Sequence, residues 1–385
     1  MQRKHYDAEH TAFADAVRTF LDKEVVPHYL DWERDGLTPR EVFAAAGRNG
    51  FLGMAVPEQY GGGGIDDFRF NQALGEQVSY AGVTGTGLGI TLHNDICLPY
   101  FLAYCNDEQK QRWLPGIASG ELITAVAMTE PGAGSDLSGI RTTAVRSSPG
   151  GDHYVVNGAK TFITNGINAD LVITAVRTSE EKHRGLTLLV LERGTPGFER
   201  GRNLAKVGLH SQDTAELSFS DARVPVANRF GDEGQGFFQL VANLPQERMS
   251  LAIAGVSAAR AAFDQTVAYV RERKAFGSSI GTFQNTRFVL AEIATEIDVA
   301  QAFVDQCVRA LNDGELSVED AAKAKWWCTE LQGRVVDRCV QLHGGYGYML
   351  EYPIARAYAD ARVTRIYGGA TEIMKEIIGR SLELG

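Results

Sequence analysis

The sequence predicts an α+β fold in three successive parts. These are a helical N-terminal domain over residues 1–121, a middle domain built on an antiparallel β-barrel or sheet over 122–232, and a C-terminal four-helix bundle over 233–385. Three observations carry this. Apolar residues recur at helical spacing from Ala8 to about Gly120, short apolar runs between turn residues replace them from about Leu122 to Phe230, and long amphipathic segments follow Gly236. A chain of 385 residues hides roughly three quarters of the surface its unfolded form exposes, so it needs no disulfide or metal staple.

In the first part, Phe13, Val17, Phe20, Leu21 and Val25 make one stripe, which Pro27 ends. A second helix is expected from Pro39, suited to a first turn, through Val42, Phe43 and Ala46 to Gly50. The consecutive glycines 61–64 form a loop. In the middle part, Leu122–Met128, His153–Val156, Leu171–Val176, Leu186–Leu191 and Ala215–Phe219 read as strands. Between them sit Pro149-Gly150-Gly151, Asn157-Gly158 and Asn165-Gly166, all turn chemistry. No helical segment intervenes, which favours antiparallel pairing over βαβ units. The last part offers helices over Phe237–Arg273, Gln284–Asn312, Val318–Leu342 and Ile354–Leu384, the fourth interrupted near Gly368-Gly369.

Composition removes several function classes. The formal charge is −10 with no block of basic residues, which disfavours nucleic acid and anionic membranes as general partners. Cys97, Cys105, Cys307, Cys328 and Cys339 are scattered without a CxxC pair, as expected of a reduced cytoplasmic protein. The N-terminal stretch lacks the apolar core of a signal peptide, and no run is long and apolar enough to span a membrane. Thr84-Gly85-Thr86-Gly87-Leu88-Gly89 has the wrong glycine spacing and context for a dinucleotide loop and suits close helix packing. His343-Gly344-Gly345 resembles an esterase oxyanion loop, but no GxSxG supplies a nucleophile, and the eight histidines show no metal-binding spacing.

Four stretches are unusual for scaffold alone. Met128 to Gly139, with Thr129, Glu130, Pro131 and Ser135 among small residues, exposes backbone N–H groups suited to an anionic or carbonyl-rich ligand, or is a plain sharp loop. In Lys160 to Gly166, Phe162 and Thr164 alternate onto one strand face, against a flat ring system or the core. Arg271 to Gly277 closes a helix with charges that either grip a phosphate through Arg273 or are merely solvated. Gln341 to Tyr348 holds three glycines, a mark of close backbone approach.

In this order and at these separations, the four stretches resemble the acyl-CoA dehydrogenase family of flavoproteins, over essentially the whole chain. Within it, Leu244-Pro245-Gln246-Glu247-Arg248, Tyr352-Pro353-Ile354-Ala355 and Glu372-Ile373-Met374-Lys375-Glu376 are most similar to long-chain enzymes. The resemblance implies oxidation of an acyl thioester between Cα and Cβ, with a carboxylate taking the α proton and N5 of FAD taking the β hydride, as in fatty-acid β-oxidation. It implies that Thr129 and Ser135 lie at the flavin and thioester edge, Phe162 against the flavin, and Thr164 on its ring. Arg273, Phe276, Gln284, Gln341, Gly344 and Gly345 would clamp FAD from a neighbouring subunit, with Thr371 and Glu372 also on the cofactor. A homotetramer, as a dimer of dimers, and an electron-transfer flavoprotein as acceptor follow from the same likeness.

The base departs from the commonest pattern. Many members carry it directly after the tyrosine of a Tyr-Glu-Gly-Thr segment; here the run is Tyr367-Gly368-Gly369-Ala370-Thr371, so Gly368 has no side chain to offer and Ala370 replaces threonine. Isovaleryl-type and long-chain-type members place it on an earlier helix before an arginine, which Glu247-Arg248 matches. Glu247 is therefore expected to be the base, although an acid at a helix start is by itself ordinary. Burial beside an acyl chain would raise its pKa towards working pH. Glu372 and Glu130 are the fallback carboxylates. Arg248, Ser135, Tyr367 and Gly368 are expected near the substrate thioester, and Leu88–Leu98 with the Glu247 helix are expected to line the acyl pocket. Three alternatives remain: the same chemistry on a carrier-protein thioester, a flavin monooxygenase on this fold, and a non-enzymatic FAD-binding protein.

Overall fold

Seven helices, seven strands and five further helices, with a hairpin of the two-residue strands Lys274–Ala275 and Ser278–Ser279 after the first of these five, follow one another along residues 3–383, the residues that the computed structural model describes. The first group comprises α1 (Ala8–Phe20), α2 (Tyr29–Asp35), α3 (Arg40–Arg48), α4 (Phe68–Ala81), α5 (Thr84–Thr91), α6 (Leu98–Tyr104) and α7 (Asp107–Ser119). The expected stripe is buried: Val17, Phe20, Leu21 and Val25 pack with Phe43, Phe51 and Leu74 into one core. The helical path continues past α1 through a wide turn at Leu21–Val25 before Pro27 interrupts it. Pro39 stands just outside α3, as its extended N-cap.

The strands are β1 (Thr124–Ala127), β2 (Thr143–Arg146), β3 (His153–Thr164), β4 (Leu171–Arg177), β5 (Leu186–Glu192), β6 (Phe198–Asn203) and β7 (Thr214–Pro225). They form one curled sheet in the order β1-β4-β2-β3-β7-β6, with β5 also on β4. Pairing is antiparallel except at β4, which runs parallel to β1 and to one residue of β2. The parallel crossover passes through the β2–β3 hairpin instead of a helix, so no helical period announces it in the sequence. Strands β2 and β6 escape the periodicity because both are short and largely exposed.

Asn157-Gly158 is not a turn. It lies inside β3, where Gly158 (φ 148°) marks a register shift against β7. A bulge calls for the same residues as a turn, so local sequence does not separate the two. Asn165-Gly166 does turn the chain, with Asn165 at φ 60°.

The third group holds α8 (Gly236–Glu272), α9 (Gln284–Asn312) and α10 (Val318–His343), with a fourth arm broken into α11 (Pro353–Ala361) and α12 (Thr371–Ser381). Alanines, Val256, Ile293, Ile297, Cys328 and Leu331 fill the bundle core. Gly255 lets α8 and α10 meet closely: a Cβ there would stand 3.0 Å from the backbone of Cys328. A separate core of Tyr100, Phe101, Trp113, Ile173, Leu188 and Phe230 glues α6 and α7 to the sheet. That core presents α6 to the middle of α8. No described helix is long and apolar enough to cross a membrane.

Candidate active site

Glu247 lies well inside α8, three turns from its start at Gly236, so the ordinary explanation of a first-turn acid does not apply. Its side chain is buried, at 4% exposure. Burial pushes the carboxyl up to about 7, against the pull of a hydrogen bond from Tyr100 and the charge of Arg248. Tyr100 Oη donates to Oε1 at 2.8 Å, and both residues are buried. No other hydrogen bond reaches the carboxylate among the described residues, so Oε2 is free to accept a proton.

Arg248 is equally buried, yet its Nε and one terminal nitrogen, Nη1, have no partner among the described residues. Such donors normally find acceptors, so they point to a missing one. Lys325 on α10 is fully buried and donates to the Gly369 carbonyl at 2.7 Å. Its pKa falls to about 8 through burial and the nearby Arg248 charge. The unpaired donors of Arg248, with the buried Lys325 charge beside it, favour an electron-rich ligand.

Gly368 adopts a left-handed conformation (φ 61°), and a Cβ on it would stand 2.1 Å from Leu251 Cδ1. Leu251 is one helical turn after Glu247 on α8. The space that a side chain at residue 368 would enter is thus occupied by a leucine from the Glu247 helix. Beyond it, a narrow cavity of about 30 Å³ has Leu88, Thr91 and Asp95 on one side and Ser250, Ile253 and Tyr367 among its other walls. Part of Leu88–Leu98 therefore does face the Glu247 helix. The cavity wall is more polar than an alkyl tail requires: Asp95 is buried, held up to about 7, and accepts from Asn71 at 2.7 Å and Ser250 at 2.5 Å.

The Thr129–Gly139 loop is anchored from beneath. Lys160, buried in β3, pairs with Glu130 at 2.8 Å and donates to the Met128 carbonyl. The Glu130 carboxylate also accepts from the backbone N–H groups of Arg141 and Thr142. Burial works against it, but Lys160 and these donors hold Glu130 below the usual carboxylate range. Glu130 is thereby engaged by Lys160 and two backbone donors in holding the loop. The anchored loop leaves Ser135 exposed and Thr129 half-buried, with nothing within 4 Å of where Cβ atoms would sit on Gly132 and Gly134. Along β3 strict alternation fails: Phe162 is left-handed (φ 60°) beside a register shift. It stands 68% exposed, with Ile163 buried and Thr164 half-buried. An exposed aromatic in that conformation is costly without a partner for its ring.

The remaining expected residues cluster at the far ends of the bundle helices. Arg273, Gln341, Gly344 and Gly345 line one open cleft of about 500 Å³ together with Tyr269 and Tyr346. The Arg273 guanidinium lies over the Tyr346 ring at 5.2 Å. Phe276 is 97% exposed, and Gln284, at the start of α9, is exposed too. None of Thr129, Ser135, Phe162 or Thr164 lines this cleft, so the two groups stay apart within one chain. Thr371 spends its hydroxyl on Glu330 at 2.9 Å, whereas Glu372 is exposed at the start of α12. Tyr100, Lys160 and Lys325 are the residues that sequence reasoning missed as site members; only Lys160 carried a signal, a lone lysine at a buried strand position.

Family models described as the N-terminal, middle and C-terminal domains of acyl-CoA dehydrogenase match residues 7–121, 125–222 and 234–383. The chain is 45% identical over 383 residues to the mitochondrial long-chain specific acyl-CoA dehydrogenase of Mus musculus, covering 99% of this chain and 88% of that one. A crystal structure of an acyl-CoA dehydrogenase from Geobacillus kaustophilus is 51% identical and superimposes with a TM-score of 0.96, covering 100% of both chains. One from Bacillus anthracis, described as complexed with FAD, is 30% identical with a TM-score of 0.92, covering 100% of this chain and 68% of that one.

Proposed function

Because the chain belongs to the acyl-CoA dehydrogenase family, an oxidoreductase family, we propose that it uses FAD to convert a saturated acyl-CoA thioester to the trans-2-enoyl-CoA, with Glu247 removing the α proton. The observation that carries this is the state of Glu247: buried in the middle of α8, held near neutrality, and opposite a glycine that offers no competing carboxylate. An α C–H beside a thioester is weakly acidic. Its base must be desolvated, fixed and able to hold a proton near pH 7. One oxygen of Glu247 is tied to Tyr100, which leaves the other to take the proton.

The residues present fit FAD. The open loop at Gly132 and Gly134, the exposed Phe162 and Thr164 would receive the flavin ring. The cleft around Arg273, Gln341, Gly344 and Gly345, with Phe276 and Gln284 beside it, would take the pyrophosphate and adenine end from a second subunit. Bound FAD supplies the acceptor for the hydride leaving Cβ. The unpaired donors of Arg248 are suited to the thioester or pantetheine, with Ser135, Tyr367 and Gly368 around them. Thr371 and Glu372 would serve the cofactor through the first turn of α12. Phe276, Tyr348, Leu350, Phe288 and Val299 are exposed, and a homotetramer, as a dimer of dimers, is proposed from the family likeness. An electron-transfer flavoprotein is the proposed electron acceptor.

Anaerobic titration of the purified flavoprotein with a panel of acyl-CoAs tests the reading. At least one saturated acyl-CoA should bleach the flavin of the wild type, while Glu247→Gln should keep FAD and bind ligand without bleaching. Equal bleaching by the variant would remove Glu247 as base. Failure of every acyl-CoA on a flavin-loaded wild type would move a carrier-protein thioester, or oxygen-using chemistry, ahead.

A further inference from the structure

Tyr100 is buried with Glu247 as its partner, and nothing in the reaction as proposed gives it a task. It comes from α6 in the first part of the chain and crosses to α8 in the third, and its hydroxyl donates to Glu247 Oε1 at 2.8 Å. The ring is packed in the core shared with Phe101, Trp113 and Phe230, so the contact is held by the fold and not by a mobile side chain. Burial and the Glu247 charge push the phenol well above its ordinary value, so Tyr100 stays a donor throughout the working range.

We infer that Tyr100 is a positioning residue for the base: it fixes the Glu247 carboxylate by one oxygen, leaves Oε2 as the sole proton acceptor, and sets the pH at which that acceptor becomes available. This rests on Glu247 being the base. The physical argument is a balance of two effects. Burial favours the protonated acid, and a donor on Oε1 favours the carboxylate. Without the phenol, the carboxyl would hold its proton to higher pH. Few other groups bear on it. Among the described residues of the first part of the chain, Tyr100 and the buried Cys97 thiol face Glu247, with Tyr104 behind Tyr100. On α8 itself the neighbouring charge is Arg248, and Lys325 of α10 lies against Arg248 in turn. Asp95 is held by Ser250 one turn along α8.

The test is the pH dependence of flavin reduction by acyl-CoA, measured under anaerobic stopped flow on FAD-loaded wild type, Tyr100→Phe and Glu247→Gln. A hydrogen bond to a charged group corresponds to about one to two pH units. The acid limb of kcat/KM, which reports the free enzyme, should move up by that much in Tyr100→Phe. Reduction at pH 7 should then fall roughly five- to fifty-fold and recover at high pH. A purely structural loss would lower the rate equally at every pH and leave the limb in place, which would overturn the proposal. Replacing Tyr100 by a fluorinated tyrosine, a stronger donor of the same shape, should move the limb down; no movement there would overturn it even if the phenylalanine variant did not fold. The Glu247→Gln arm separates the two readings. If it reduces flavin as fast as wild type, the base lies elsewhere and the proposal falls with it; if it is inert while the Tyr100 variants leave the limb unmoved, the base stands and only the role of Tyr100 is lost.

Discussion

A base kept near neutrality by burial leaves a thermodynamic trace that needs no substrate. Glu247 ionises at about 7 in the folded protein against an ordinary value of 4.5, so between those values the folded state holds a proton that the unfolded state has released. Stability contributed by this group is present in full below about pH 4.5 and is lost as pH rises through 7. A difference of about 2.5 pH units at about 1.36 kcal/mol each gives ~3 kcal/mol. Glu247→Gln keeps the shape and an oxygen for Tyr100 but has no charge to bury. Urea unfolding of flavin-loaded wild type and variant across pH should therefore show the variant gaining ~2–3 kcal/mol relative to wild type between about pH 5 and pH 8. Asp95 and Asp360, which burial also raises to about 7, are common to both proteins and cancel in the difference. A gap that stays flat with pH would mean that Glu247 ionises like an exposed acid, and the argument for it as a base near neutrality would fail.

Lys160→Met removes the only cation paired with buried Glu130 among the described residues and should cost about 3–5 kcal/mol, with loss of flavin from the loosened Thr129–Gly139 loop; adding Glu130→Gln should return much of that stability. Thermal melts and flavin absorbance after gel filtration measure both effects. Gly368→Ala should lose about 1–2 kcal/mol to left-handed backbone strain and a further amount to the contact with Leu251, and should slow flavin reduction by shifting the Leu251 side chain one turn from Glu247. A double-mutant cycle with Leu251→Ala should relieve the contact with Leu251 but not the backbone strain; fully additive effects would show that the two residues do not meet.

Where sequence spoke clearly, it spoke through periodicity. The bundle helices lie almost where the apolar spacing placed them because each buries one long face, and Gln284–Asn312 matches residue for residue. The curled sheet was legible as a set of short strands, but its parallel edge at β1 and β4 depends on a crossover that leaves no local mark. The same limit applies to the site. Glu247 could be singled out because Gly368 vacates the other position, yet the sequence shows neither residue's surroundings. Tyr100 lies 147 residues away, in a helix whose composition reads as plain core. Lys325 sits in α10 among alanines and tryptophans and looks like a solvated helix lysine until the fold buries it against Gly369. Partners that meet only through tertiary packing are invisible to any local pattern.

The pairing of Glu247 with Gly368 also has a steric logic that goes beyond one carboxylate replacing another. A base on the loop before α12 would need a Cβ at residue 368, and that space is held by Leu251 from the helix that carries Glu247. A side chain at 368 would require the Cδ1 methyl of Leu251 to turn aside. With the base on α8, the carboxylate sits on a long helix packed through Gly255 on α10 and is reached by Tyr100 from α6, so three elements fix it. On the loop it would depend on a backbone held in a left-handed conformation, which is strained for most residues other than glycine. A proton acceptor must be held within about half an ångström of its productive position for transfer from a weakly acidic C–H, and helices hold such positions better than loops do. The contact with Leu251 and the left-handed backbone at 368 therefore both favour glycine there, in keeping with the proposed placement of the base on α8.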